Sequence, residues 1–326
     1  MTAFILSRLA VVAGAALALA STLAQAQQFP PNKPVTMLVG FAAGGAADTA
    51  ARAIAKRLAD NIGQQVVIDN KAGAGGNIAH AQTATGPTDG SLILFGSVGP
   101  LSIAQHLMKL PYDPVRDLAP LTMGVNFPNL LVVNAGLKIN SLAEFVAYAK
   151  RNPGKLECAS TGNGSASHLA CELFNDMAKI DVVHVPYKGG SQIVPDLLSG
   201  RVASYYSTPS TAGPHLDSGK IVAIASTGLT RSPAMPNLPT VAESGYAGFE
   251  ALNWYAFVGP GKLPLALQER WNAELVKALN ATDVKEALNK HGLTPAPGTR
   301  EALGRYIVAE SAKWGRVIRD RKITGE

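Results

Sequence analysis

Short runs of consecutive apolar residues alternate with amphipathic helical patterns along most of this chain. Residues 35–40 form the first apolar run, residues 46–61 form a helical pattern with one apolar face, and residues 66–69 form the next run. Strands that are apolar throughout and separated by helices are typical of parallel sheets with both faces covered. The pattern therefore predicts an α/β fold with mostly parallel sheets.

The same alternation starts again after a connection at residues 110–120, which contains three prolines and is expected to be an extended surface segment. A second set of strand and helix patterns covers residues 130–226. Residues 253–326 contain one strand pattern and then only helical patterns. Because helices with so little sheet of their own must pack on another sheet, we expect this last block to return to the first domain.

This return predicts two lobes that are joined by two crossings of the chain, near residues 125–130 and 250–254. Lobe 1 would be discontinuous, with residues 27–128 and 253–326, and lobe 2 would be residues 129–252. Two crossings form a hinge, and the cleft between two such lobes is a natural ligand site.

Residues 1–26 have the pattern of a secretory signal peptide. Arg8 precedes an apolar run at residues 9–20, and the small-residue triplet Ala24-Gln25-Ala26 follows. The apolar run is shorter than the roughly 20 residues of a transmembrane helix. We therefore expect an exported, soluble protein that is cut after Ala26, with a retained N-terminal anchor as the alternative.

Charge and cysteine content limit the classes of partner. The formal net charge is +6 at pH 7 and the basic residues are scattered among the acidic ones. This pattern is unlike a nucleic-acid-binding stripe and would help to attract a small anion.

Cys158 and Cys171 could form a disulfide only if their Cα atoms lie about 4.4–6.8 Å apart, and the sequence leaves this question open. His168 lies one helical turn before Cys171, but no Cys or His motif completes a ligand set, and no metal or cofactor is expected.

Four loops of small residues follow predicted strands, and they suggest an anion site. They contain the sequences GFAAGG (40–45), GSVGP (96–100), ASTGNGSASH (159–168) and PYKGGSQ (186–192). Backbone N–H groups at the start of a helix suit an anion, and glycine lets a ligand approach the backbone closely. Gly44 and Gly45 could instead serve only a turn, and Gly45 is expected to adopt a dihedral that only glycine tolerates. Asp48 could stabilise the helix dipole, or it could fix the loop or a water molecule at the ligand.

Enzymatic motifs are poorly matched. The segment GAGGNIA (73–79) lacks the third glycine of a dinucleotide motif, and no P-loop lysine follows any glycine-rich loop. Ser97, Ser160 and Ser165 lie near glycines but not in G-x-S-x-G, and His168 and His184 are the candidate bases. We expect no catalysis, and a secreted serine hydrolase using Ser165 and His168 is the alternative.

The ordered motifs of the chain resemble those of the Bug family, the substrate receptors of tripartite tricarboxylate transporters. The motifs include PNKPVTMLVGFAAGGAADTAAR, VVIDNKAGAGGNI, LPYDPVRDLAP, GNGSASHLACELF, VVHVPYKGG and RSPAMPNLPTVAES, and the match extends from about residue 29 to about residue 319. The resemblance implies a two-lobed, type II-like periplasmic binding protein that closes on a small carboxylate and delivers it to membrane transporter subunits. We expect a monomer without a nucleic-acid partner.

The resemblance, together with the loop pattern, also predicts the residues of the binding site. In lobe 1 these are Ala42, Ala43, Gly44, Gly45, Asp48 and Ser97. In lobe 2 they are Thr161, Asn163, Gly164, Ser165, His168, Tyr187, Gly189, Gly190, Ser207 and Thr208.

Two departures from the family pattern bear on the ligand. Ala43 and Ala46-Ala47 replace the usual proline and Ser-Thr, which removes hydroxyl donors from the first loop. Ser207-Thr208 stands where many members have Asp-Asn, which weakens the case for a ligand with an ammonium group. A receptor that presents its ligand to a signalling partner remains an alternative to transport, and the sequence leaves the identity of the carboxylate open.

Overall fold

The computed structural model describes residue 29, residues 32–232 and residues 235–324. The predicted signal peptide at residues 1–26 lies outside these residues. Within the described part, the strands form one six-stranded and one five-stranded sheet. No helix in that part is long and apolar enough to cross a membrane.

The strands follow the apolar runs of the sequence. They are β1 (Val35–Val39), β2 (Val66–Asn70), β3 (Leu92–Ser97), β4 (Leu118–Pro128), β5 (Leu130–Asn134), β6 (Leu156–Ser160), β7 (Val182–Pro186), β8 (Ser204–Ser207), β9 (Ile221–Ser226), β10 (Leu252–Pro260) and β11 (Thr294–Pro295). The first sheet has the order β11-β4-β10-β3-β1-β2, and the second has the order β7-β6-β8-β5-β9. β4 begins at Leu118, so the end of the predicted surface connection at 110–120 belongs to a strand.

Both sheets are mixed, which corrects the expectation of mostly parallel sheets. β1 is parallel to β2 and β3, and β6 is parallel to β7 and β8, whereas β10 is antiparallel to β3 and β4, and β5 to β8 and β9. The antiparallel strands lie where the chain passes between the lobes. A direct passage needs no crossover helix, so it does not impose parallel pairing. The predicted α/β class and two-lobed form are confirmed.

The helices cover the sheets and define the lobes. They are α1 (Ala46–Ile62), α2 (Asn77–Ala84), α3 (Leu142–Arg151), α4 (Ala166–Ala178), α5 (Gly190–Ser199), α6 (Pro209–Leu216), α7 (Leu265–Asn280), α8 (Thr282–Lys290) and α9 (Arg300–Asp320). We use lobe 1 for the first sheet with α1, α2 and α7–α9, and lobe 2 for the second sheet with α3–α6. α9 also contacts lobe 2, because Arg321, just after it, forms an ion pair with Asp176 of α4.

Apolar side chains on the sheet-facing sides of the helices form the cores. Ile54 and Leu58 of α1 are fully buried together with Trp271 of α7 in one core of lobe 1. In lobe 2, Cys158 of β6 and Cys171 of α4 are buried free thiols in the same apolar cluster. A hydrogen bond between the two thiols, together with burial, raises the pKa of Cys171.

The two chain crossings lie side by side and share buried hydrogen bonds. Asn129 is the single residue between β4 and β5, and its backbone N–H donates to Thr227 Oγ1 at 2.8 Å. Thr227 Oγ1 donates in turn to the carbonyl of Ala251, which directly precedes β10, also at 2.8 Å. The side-chain amide of Asn253 donates to Asn129 Oδ1 at 3.3 Å. These bonds fix the two crossings to each other and thereby place the cleft.

Candidate ligand-binding site

A cleft between the lobes collects the loops that follow the central strands. It encloses about 440 Å³ of empty space, including its opening to solvent. Its lining is Phe41, Gly45, Ala46, Ala47, Ser97, Val98, Thr161, Ala166, Ser167, Gly190, Tyr205, Tyr206, Thr208, Thr211, Asn253 and Tyr255. None of these residues carries a charged side chain, so polar recognition here depends on backbone groups, hydroxyls and an amide.

The first loop connects β1 to α1 and is held by Asp48. The backbone N–H of Gly44 donates to Asp48 Oδ2 at 2.9 Å, and Arg52 Nε donates to the same oxygen at 2.9 Å. Burial of Asp48 opposes ionisation, but the bonds from Arg52 and Gly44 outweigh burial and hold its pKa below the usual value. Asp48 therefore braces the loop, which is one of the two roles that the sequence allowed.

The brace gives a first prediction. Asp48→Ala is expected to lower the free energy of unfolding by about 1–2 kcal/mol, because the part-buried hydrogen bond from the backbone N–H of Gly44 to the buried carboxylate is lost. Ligand affinity should fall as well, since the loop lines the cleft, whereas Asp48→Asn keeps an acceptor and should lose less. Urea unfolding and a ligand titration measure both effects. Asp60→Ala, at an exposed acid of the same helix, is the control, and equal stability of Asp48→Ala and Asp60→Ala would contradict the brace.

The second loop connects β6 to α4 and is ordered by serine hydroxyls. Ser167 Oγ accepts from the backbone N–H of Thr161 at 3.0 Å and lies 3.2 Å from Ser165 Oγ. Ser165 Oγ also caps α4 by accepting from the backbone N–H of His168 at 3.3 Å. The hydroxyls of this loop are therefore held in position, and Thr161 and Ser167 line the cleft.

Two stacked histidines contact the second loop and hold it through hydrogen bonds. The rings of His168 and His184 are 4.1 Å apart, and Ser160 Oγ lies 2.5 Å from His184 Nε2. The backbone N–H of Gly164 donates to His168 Nδ1 at 3.1 Å. Nδ1 can accept this bond only with a free lone pair, so the imidazole ring of His168 is neutral. Burial, and secondarily the neighbouring His184, lowers the pKa of His168 to about 3, and burial lowers that of His184 to about 4.

This arrangement does not favour the hydrolase alternative. Ser165 Oγ is hydrogen-bonded to the backbone N–H of His168 rather than to its ring, and the Nδ1 lone pair is used by Gly164. A general base must have a lone pair within reach of the nucleophile's proton. Ser165 and His168 are thus placed as a helix cap and a loop support.

Several helices begin at the cleft without a side-chain cap. The Ncap residues of α1, α5 and α6 are Gly45, Gly189 and Thr208, and none of them accepts a backbone N–H with its side chain. α4, in contrast, is capped by Ser165. The first N–H groups of a helix have no intrahelical partner and carry a partial positive charge. The cleft therefore brings together backbone N–H groups without a side-chain partner and the positive ends of helices from both lobes.

The lobes touch at the rim of the cleft, so the structure is a closed arrangement. Ser191 Oγ of lobe 2 donates to the carbonyl of Ala43 in lobe 1 at 2.9 Å. The backbone N–H of Ala42 points to the carbonyl of Lys188 at 3.4 Å. These contacts join the first loop to the loop after β7.

The structure places the predicted site residues in several groups. Those that line the cleft are Gly45, Ser97, Thr161, Gly190 and Thr208. Those that meet the opposite lobe at the rim are Ala42, Ala43 and Gly189. Those that order the loops from within are Gly44, Asp48, Gly164, Ser165 and His168. Asn163 and Tyr187 line an adjacent groove outside the cleft, and Ser207 donates to the carbonyl of Thr208.

The aromatic wall of the cleft was not anticipated from the sequence. Phe41, Tyr205 and Tyr255 line the space, and Asn253 adds a buried amide whose Oδ1 has no partner within the described residues. Tyr255 and Asn253 belong to β10, which reaches the cleft only because it pairs with β3. The start of β10 at a predicted chain crossing was the available signal, since crossings border the cleft.

Comparison with known proteins agrees with this architecture. A family described as "Tripartite tricarboxylate transporter family receptor" (TctC) matches residues 50–323. Protein BugT of Bordetella pertussis is 36% identical over 292 residues, which are 89% of this chain and 90% of BugT.

Solved structures of similar proteins also have this architecture. The periplasmic binding protein BugD superposes with a TM-score of 0.87 at 31% identity, covering 91% of this chain and 100% of BugD. The R. palustris protein Rpa4515 with adipate has a TM-score of 0.87 at 33% identity, covering 91% of this chain and 99% of Rpa4515. The resemblance to the Bug family is confirmed, and the chain belongs to the receptors of the tripartite tricarboxylate transporter family.

Proposed function

We propose that this protein captures a small organic carboxylate between its two lobes in the periplasm and delivers it to a tripartite transporter in the membrane. The observation that carries the proposal is that α1, α5 and α6 begin, without side-chain caps, at a cleft that no charged side chain of the described residues lines. A carboxylate offers acceptors to such N–H groups and is stabilised by the helix dipoles. The similar protein Rpa4515 is described with adipate, which supports this ligand class.

The same lining disfavours a ligand with an ammonium group. Among the described residues, no carboxylate lines the cleft, and the negative charge of Asp48 beside it is already paired with Arg52. A buried ammonium without an acceptor would be costly. We therefore expect simple carboxylates to bind in preference to amino acids of similar size.

A thermal-shift screen of the purified protein tests the proposal. The panel pairs mono-, di- and tricarboxylates with their primary amides, which keep the shape and lose the charge. A carboxylate at 100 times its dissociation constant should add about 2.7 kcal/mol to the free energy of unfolding and raise the melting temperature, whereas its amide should not. If no carboxylate raises the melting temperature, or if the amides do so equally, the proposed ligand class is wrong. Mass spectrometry of any ligand retained through purification would then identify the native one.

The transport role needs a separate experiment, because a receptor that presents its ligand to a signalling partner would use the same cleft. A pull-down from solubilised membranes, with and without ligand, should recover membrane subunits of the transporter when ligand is present. Recovery of a sensor protein instead would favour signalling.

A further inference from the structure

The closed arrangement brings the backbones of the two lobes together at glycines. Gly75 and Gly99 of lobe 1 face residues 162–165 of lobe 2, and Gly189 of lobe 2 faces Ala42 of lobe 1. A Cβ added at Gly75 would lie 2.4 Å from the carbonyl oxygen of Asn163. None of these three glycines lines the cleft. They lie instead where one lobe touches the other.

At Gly99, the contact with lobe 2 is what requires glycine, because the backbone conformation does not. Its φ is not positive, so alanine fits its backbone conformation. A Cβ there would lie 2.6 Å from the carbonyl oxygen of Gly164 and 3.2 Å from the Cα of Ser165. Both neighbours are backbone atoms of lobe 2, so no side chain can turn away. With the lobes apart, the added methyl group would meet neither of them.

Gly189 repeats the arrangement from the opposite lobe. Its φ of 167° is extended backbone, and an added Cβ would lie 3.0 Å from the backbone nitrogen of Ala42 and 3.1 Å from its Cβ. This contact is tight rather than forbidden, so its effect should be smaller. Gly75 has a φ of 63°, and substitution there would also strain the turn.

We propose that Gly99 and Gly189 are positioning residues for closure: the absence of a side chain at these two positions lets the lobes come together on the ligand. This inference rests on the proposed function. A Cβ at either position acts as a spacer between the lobes and leaves the cleft lining unchanged. Because apparent affinity falls in proportion to the closed fraction, Gly99→Ala should weaken ligand binding by about tenfold or more.

Closure can be measured without any ligand. A Cβ at Gly44 would lie 4.0 Å from the Cβ of Ser191, a separation within the roughly 3.5–4.5 Å of a disulfide. The parent protein therefore carries Gly44→Cys and Ser191→Cys, one thiol on each lobe. The φ of 78° at Gly44 strains this substitution to the same extent in every variant, so the rates are compared only between variants. Glutathione disulfide oxidises the two thiols to a cross-link and is itself reduced to glutathione. Peptide mass spectrometry distinguishes this cross-link from the buried Cys158 and Cys171.

The experiment compares the parent with two further variants of it. Gly213→Ala is the matched control, because no atom lies within 4 Å of a Cβ at that position of α6. We expect the parent and Gly213→Ala to cross-link at the same rate and Gly99→Ala to cross-link at least about tenfold more slowly. Melting temperature without ligand establishes that each variant is folded. If Gly99→Ala does not fold, Gly189→Ala takes its place, with a smaller expected delay.

The possible outcomes separate the role of Gly99 in closure from the proposed function. Equal cross-linking of Gly99→Ala and Gly213→Ala overturns the inference. If the folded parent never cross-links, the radius of gyration of wild type and Gly99→Ala from small-angle X-ray scattering replaces the rates, and equal radii overturn the inference. Slower cross-linking of Gly99→Ala together with a wild-type protein that binds no carboxylate supports the role in closure and overturns the proposed function. Carboxylate binding that is equally strong in wild type and Gly99→Ala keeps the proposed function and overturns the role of Gly99.

Discussion

Gly45→Val is expected to remove most carboxylate binding while the ligand-free protein stays folded. Gly45 has a φ of −84° and a ψ of 177°, an extended conformation that valine adopts readily, and an added Cβ would lie 3.5 Å from the carbonyl oxygen of Ala42, an ordinary contact. The valine methyl groups would occupy the cleft beside the first N–H groups of α1. Each charge-assisted hydrogen bond is worth roughly 1.5–3 kcal/mol, so affinity should drop about tenfold or more.

Gly44→Val is the matched comparison at the neighbouring residue. Gly44, not Gly45, has the left-handed conformation, with a φ of 78°, which corrects the expectation that Gly45 needs a dihedral only glycine tolerates. Gly44→Val should therefore lower the melting temperature of the ligand-free protein, whereas Gly45→Val should not. Isothermal titration calorimetry with a carboxylate from the screen gives the affinities. Wild-type affinity in a folded Gly45→Val protein would mean that the first loop is only a turn.

Acid is expected to destabilise the ligand-free protein steeply below pH 6.5. Burial lowers the pKa of His80 to about 4, and burial together with His184 lowers that of His168 to about 3, from an ordinary value of 6.5. When the pKa of a histidine is lower in the folded protein than in the unfolded chain, the unfolded chain binds more protons at pH values between the two. The contribution is fully present above pH 6.5 and is lost as the pH falls toward the folded pKa values. Each histidine should remove roughly 1.4 kcal/mol per pH unit in this window.

Urea unfolding at pH 7, 6 and 5 measures this loss. His80 and His168 together should reduce the free energy of unfolding by roughly 3 kcal/mol per unit below pH 6.5, and His184, whose pKa is also lowered to about 4, should steepen the loss further. His168→Gln keeps a polar side chain that does not titrate and should lower the slope by about one proton. An unchanged slope in that variant would show that His168 is accessible to protons in the folded state.

The sequence was informative where a local pattern decides the structure. Continuous apolar runs placed strands β1 and β2 to within one residue, and the helical pattern after the small residues placed the start of α1. The loops that line the cleft were found for the same reason, because the carboxyl ends of parallel strands meet at one edge of a sheet.

Features that depend on distant residues could not be read in this way. Tyr205 and Tyr255 come to one wall of the cleft from different sheets, and no local pattern relates positions 50 residues apart. The inward or outward direction of Tyr187 was also hidden, because it depends on the bond from its hydroxyl to Asp196 on α5. The role of Asp48 needed the positions of Gly44 and Arg52 relative to its carboxylate. In each case the missing information was tertiary geometry.

The position of β10 has a consequence for how the chain folds during synthesis. β10 (Leu252–Pro260) lies in the middle of the first sheet, between β3 and β4, although it follows all of lobe 2 in the chain. Lobe 2 is continuous and therefore has all its strands once residue 226 is available, whereas the first sheet lacks a central strand until residue 260 arrives. Pairings between residues so far apart close large loops and form slowly. The N-terminal strands therefore keep exposed edges while the second lobe folds, and this interval is when a chaperone would have most to bind.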